Sequence, residues 1–239
     1  MSAKHLFLSF MFVFIASLTT VTFSNEISPE ELERWFNSDT LDPPRYTDTK
    51  EGNAKEVNEG ELIFLTETQD KALHHHHNSV TISPTSLNDG WITIKQCHSN
   101  IDKVAAAQII FGKNRVRNIK IVSYNNIEKA WVEGTTVQFE NVKSNAILCI
   151  QADTHSLQHL ENGTYSLRNG PFMRRFLDGY YPLHVSFDLD YAQTNLELTS
   201  FTPMSQNGFE VKQSLGTVTI DTIFEGRLHT EFHFKTKKL

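Results

Sequence analysis

The alternation of apolar and polar positions changes character twice along the chain. Up to residue 24 the apolar residues are nearly continuous. From 25 to 58 the chain is polar and keeps no period. From Glu61 onward a period of two dominates. The cleanest run is Leu183 to Tyr191: Leu183, Val185, Phe187, Leu189 and Tyr191 fall on one face, and His184, Ser186, Asp188 and Asp190 on the other, the pattern of a half-buried strand. Trp91 to Cys97 alternates in the same way after the turn Asn88-Asp89-Gly90. Shorter runs at 61–66, 80–82, 105–111, 116–122, 130–132, 137–139, 146–150, 196–198, 209–211, 218–220 and 227–234 read as strands. Asn125-Asn126 reads as a turn between two of them. Turn signals recur about every ten residues, which predicts an all-β, antiparallel sandwich-like architecture, as one large or two packed domains.

One stretch breaks the period. Between Asn169 and His184, the residues Phe172, Met173, Phe176, Leu177 and Tyr180 recur at helical spacing, with Arg174, Arg175 and Asp178 between them. Gly170 suits an N-cap, Pro171 the first helical position and Gly179 the residue after the last turn. The pattern predicts a short amphipathic helix in a connecting segment, 161–182. That segment separates a sandwich-like region at 60–160 from a second β region at 183–239.

The first twenty-four residues read as a secretory signal peptide: Lys4 and His5, an apolar run from Leu6 to Thr19, and small residues at Thr22 and Ser24. The run is too short to span a membrane comfortably, and no second run of spanning length follows. Residues 25–58 read as a polar arm with one short helix, capped by Ser28, with acids at Glu30 and Glu31 and a stripe of Leu32, Trp35 and Phe36. The expected mature protein is soluble and exported, to the periplasm or the extracellular space. The net charge is -6, and loss of Lys4 makes it one unit more negative. Such a chain has no global attraction for nucleic acid or anionic membrane.

In an oxidising compartment the pair Cys97 and Cys149 reads as a disulfide. The alternative is a thiolate–imidazole metal pair at Cys97-His98, with Cys149 buried. The order Cys97, Trp131, Cys149 matches that of an immunoglobulin domain, but the tryptophan comes several strands too late for one.

Three groups of residues carry candidate chemistry. His74-His75-His76-His77 is a local metal-binding composition suited to copper or zinc. If the tract is extended, His74 and His76, or His75 and His77, share a face, and His98 is a candidate third ligand. Otherwise it is a solvated loop between strands. On the last strand, His229, Glu231 and His233 share one face opposite Leu228, Phe232 and Phe234; they form either a zinc-ligand row or a plain polar face. Finally, Phe172, Arg174, Arg175, Phe176, Tyr180 and Tyr181 could present arginine forks among aromatic faces to an anion or a sugar. The competing reading has the aromatics capping the core and the arginines paired with Asp178 or Asp188.

Enzyme signatures are missing from the sequence: there is no nucleophile elbow, phosphate-cradling glycine loop or His-Glu-x-x-His. Asn162-Gly163-Thr164 matches a glycosylation acceptor and equally a hairpin turn. The expected function is therefore a non-catalytic binding or assembly module of the cell envelope. It would engage a protein or glycan through the aromatic–arginine segment and require no cofactor. The alternative is a periplasmic copper- or zinc-binding protein that uses the histidine tract.

Overall fold

The structure is a computed structural model describing residues 58, 60–66, 72–176 and 179–237. The expected signal peptide and the arm helix fall outside the described residues.

The described residues form fifteen strands. They are β1 (Ile63–Leu65), β2 (His75–Thr81), β3 (Trp91–Ile101), β4 (Ala106–Ile110), β5 (Val116–Glu133), β6 (Thr136–His155), β7 (Leu157–His159), β8 (Thr164–Phe172), β9 (Arg174–Phe176), β10 (Gly179–Tyr181), β11 (Leu183–Asp190), β12 (Leu196–Thr202), β13 (Phe209–Ser214), β14 (Thr217–Glu225) and β15 (Leu228–Thr236). A single helical turn, α1 (Ser86–Asp89), precedes β3. The all-β class expected from the alternation is what the chain adopts.

The large sheet runs β1-β14-β11-β2-β3-β6-β4, with β13 also on β14 and β5 also on β6; a second sheet runs β12-β15-β8-β7. Strand β11 buries Leu183, Val185, Phe187 and Leu189 and leaves the intervening residues partly or fully exposed. The inner faces meet through Phe187 and Phe232, stacked at 5.4 Å, and through Tyr191 and Phe234 at 5.2 Å. This core draws on both expected regions: Val80, Ile92 and Ala152 pack in one cluster with Leu183, Phe224 and Phe234. A smaller cluster, including Val137, Phe139, Leu148 and Ile150, belongs to the long β5–β6 hairpin.

Three expectations change. First, the described residues of 169–182 are not helical. The start of the segment continues β8, where Phe172 pairs with Leu228 of β15, and β9 and β10 pair antiparallel, with Arg174 opposite Tyr181 and Arg175 opposite Tyr180. Five apolar residues at spacings of three and four fit two short strands as well as one helix. Long-range pairing, including a two-pronged bond from Arg174 to Asp102 (3.1 and 2.8 Å), selects the strands.

Second, Asn125-Asn126 does not end a strand. Asn126 takes φ 56° inside β5, as do Asn118 (55°) in β5 and Asn141 (53°) and Asn145 (57°) in β6. Asparagine's tolerance of positive φ serves turns and bulges alike. Here it bends two long strands where the sequence pattern suggested several short ones, and the register shifts at Arg117/Lys120 and Asn125/Ile127.

Third, the histidine tract is not a loop. His75 to His77 open β2, a central strand of the large sheet. β2 is antiparallel to β3 and parallel to β11.

Candidate metal centre

Because side chains alternate along a strand, β2 divides its imidazoles between two faces. His74 and His76 turn toward His98 of β3. His74 Nε2 lies 3.1 Å from His98 Nδ1, and the rings of His76 and His98 stack at 4.2 Å, with Phe172 edge-on to His76. His75 and His77 turn to the opposite, outer face. The tract and His98 therefore do not form one ligand set.

The parallel pairing of β2 with β11 completes the outer face. Its register sets His75 beside His184 and His77 beside Ser186. On its other side β11 is antiparallel to β14, which sets Ser186 beside Asp221. The rings of His75 and His184 stack at 4.0 Å. Ser186 Oγ donates to Asp221 Oδ2 (2.6 Å), and His75 Nε2 lies 2.8 Å from Ser186 Oγ. His184 Nε2 is 3.1 Å from each Asp221 carboxylate oxygen. Beside them His77 Nε2 contacts Asp188 Oδ2 at 2.6 Å. His77, Ser186, Asp188 and Asp221 line one side of a shallow depression that Glu210, Lys212 and Thr219 complete.

Among the described residues, one group of three His, Cys, Asp or Glu side chains brings its ligand atoms within 4.8 Å of one another: His75, His184 and Asp221. Their electrostatics suit a cation. Burial, with His184 close by, lowers the pKa of His75, so its imidazole is neutral near pH 7. Burial alone would raise Asp221, but the hydrogen bond from Ser186 and the adjacent His184 outweigh it and hold the carboxyl below its usual range. Neutral imidazole and ionised carboxylate are the forms that ligate metal.

The same network argues against nucleophilic chemistry at Ser186. A serine nucleophile gives its proton to an imidazole. Here the serine gives its proton to a carboxylate, and the histidine is left to donate to the serine oxygen.

Of the expected ligands, His75 is in this group. His77 sits beside it, paired with Asp188. His74, His76 and His98 lie on the inner face. His184 was legible on the polar side of its strand, but not as a ligand. Asp221 carried no signal at all, since it becomes a neighbour only through the order β14-β11-β2.

Cys97 and Cys149 form a disulfide. They sit directly opposite each other on β3 and β6, which removes the thiolate that a Cys97-His98 metal pair would need. On β15, His233 Nε2 contacts Glu231 Oε1 at 3.2 Å, and the residues facing them on β12 and β8 are Ser200, Thr202, Arg168 and Ser166. That row brings no third ligand together. In the aromatic–arginine segment Phe172 and Tyr180 are buried. Arg174 is half-buried on Asp102, with its guanidinium over the rings of Phe176 and Tyr181, and Arg175 lies over Tyr180. The carboxylate partner of Arg174 is thus Asp102 and not Asp188, while Asp178 lies outside the described residues.

The chain matches no family model, and no curated protein matches it in sequence.

Proposed function

We propose that this protein is an exported, non-catalytic binding module whose ligand is a divalent transition-metal ion, held on the outer face of the large sheet by His75, His184 and Asp221. The observation that carries the reading is the convergence of three ligand atoms from three adjacent strands within 4.8 Å. A tetrahedral zinc ion with bonds of about 2.0–2.2 Å needs neighbouring ligand atoms roughly 3.3 Å apart. Side-chain rotations of about an ångström reach that spacing. Two imidazoles and one carboxylate suit Zn²⁺ or Cu²⁺ and leave a coordination position open. Ser186 would remain bonded to Asp221 and orient it, the usual support for a ligating carboxylate. The disulfide accords with an oxidising compartment. No helix among the described residues is long and apolar enough to cross a membrane.

The test is calorimetric titration of the untagged protein with Zn²⁺ and with Cu²⁺ against a competing chelator. One ion per chain, lost in His184→Ala and in Asp221→Asn but kept in His74→Ala, supports the site. Binding that survives the first two changes and fails with His74→Ala assigns the metal to the other face and sinks the proposal.

A second reading keeps the aromatic–arginine segment as a protein- or glycan-binding surface. It is favoured by the β9–β10 hairpin, a separate two-stranded sheet that leaves Phe176 42% exposed beside Arg175. Because Arg174 is committed to Asp102, the informative change is Arg175→Ala with Phe176→Ala. That double variant should abolish partner capture at unchanged melting temperature.

A further inference from the structure

On the opposite face of β2 from the metal ligands, a groove of about 270 Å³ runs between the two sheets. Its walls include Val80, Ile92, Ile94, Phe111, Leu167 and Phe172, and its polar lining includes His76, His98 and Gln96. Two observations set it apart from an ordinary packing defect. The Nε2 atoms of His76 and His98 are buried and meet no hydrogen-bond partner, although a buried polar group without a partner is costly to keep. In addition, Lys113 lies at the rim of the groove, and among the described residues lining it there is no Asp or Glu. The walls thus offer apolar surface and imidazole nitrogens, with one lysine at the rim.

We infer that this groove binds a small amphiphile with an apolar body and a single anionic head, of the medium-chain monocarboxylate class. The volume lies just below the range of drug-sized sites, which fits a ligand of roughly ten heavy atoms. The apolar body covers the isoleucine and phenylalanine walls. The anionic head selects the tautomer in which His74 Nε2–H donates to His98 Nδ1, across their 3.1 Å contact, so that His98 presents Nε2–H to the groove. Neutral imidazole is a sufficient donor to a carboxylate, and Lys113 at the rim supplies a charge complement. The site shares no residue with His75, His184 and Asp221, and does not depend on the metal reading.

Octanoate is the probe. Titrated into the full chain at pH 7 with chelator present, it is expected to bind saturably at one per chain, and to shift the His76 and His98 imidazole ¹⁵N resonances. Methyl octanoate, which has the same body without the charge, should bind at least about tenfold more weakly. His98→Leu should weaken octanoate by a similar factor. If that variant fails to fold, the ester comparison on the wild-type protein still decides. Equal binding of acid and ester overturns the anionic assignment. No saturation by about 5 mM octanoate, or saturation without any shift of these two imidazoles, overturns the site.

Discussion

Acid should weaken this fold well above the range in which carboxylates titrate. The imidazoles of His74, His76 and His98 are enclosed between the sheets. Burial lowers His98 to about 3 and His74 to about 4. At His74 the Asp102 carboxylate works to raise the value and Arg174 to lower it, but burial is the larger influence. Burial beside four other imidazoles takes His76 well below its ordinary value. An unfolded chain protonates a histidine near pH 6.5.

Because the folded values lie below the unfolded one, the unfolded state binds more protons in the window between them. Stability is full above about pH 6.5 and falls as pH drops toward the folded values. Between pH 7 and pH 5, His74 and His98 each withdraw about 2 kcal/mol, and His76 acts in the same direction. For a chain of this size a loss of about 4 kcal/mol lowers the melting temperature by roughly 8–16 °C. Asp221, held below its ordinary value, contributes stability that is lost only at still lower pH.

The assay is differential scanning calorimetry at half-unit steps from pH 7.5 to 5, with chelator present. His74→Leu with His98→Leu should flatten the pH slope, whatever it does to the absolute stability. A melting temperature that changes by less than about 2 °C over this range would refute the argument, because the native state would then tolerate charged imidazoles between the sheets.

Further outcomes follow from the same structure. Saturating Zn²⁺ at about 100 times its dissociation constant should raise stability by about 3 kcal/mol in the wild-type protein and by nothing in Asp221→Asn, read as a melting shift. Replacing Cys97 and Cys149 by Ser opens a closure of 52 residues and should cost about 2–4 kcal/mol in urea unfolding. Unchanged urea midpoints would show that the crosslink confines the unfolded chain little. Arg174→Ala removes a half-buried, two-pronged bond to Asp102 and should cost about 1–2 kcal/mol, whereas Arg175→Ala should stay within about 0.5 kcal/mol. Phe232→Ala empties the meeting point of the two sheets, where Phe232 stacks on Phe187, and should cost about 3–5 kcal/mol by chemical denaturation.

By itself the sequence determined the β class, most strand positions and which way their side chains face. A two-residue period is local: burial of Leu183, Val185, Phe187 and Leu189 follows from their spacing alone, and so does the outward turn of His184, Ser186 and Asp188. The cysteine pairing was legible for a similar reason, since two cysteines leave one intramolecular choice.

Only the tertiary structure decided what the polar faces do. Asp221 and His75 are 146 positions apart, and they share a site because β11 inserts between β2 and β14. No local pattern specifies that strand order, because many orders bury the same apolar faces. The 169–182 segment was ambiguous at the local level, where the same spacings suit a helix or a hairpin, and pairing with β15 and the Arg174–Asp102 bond resolved it. The asparagines show the same limit: their tolerance of positive φ is a property of the residue, but whether it turns a strand or bulges one depends on the neighbour across the ladder.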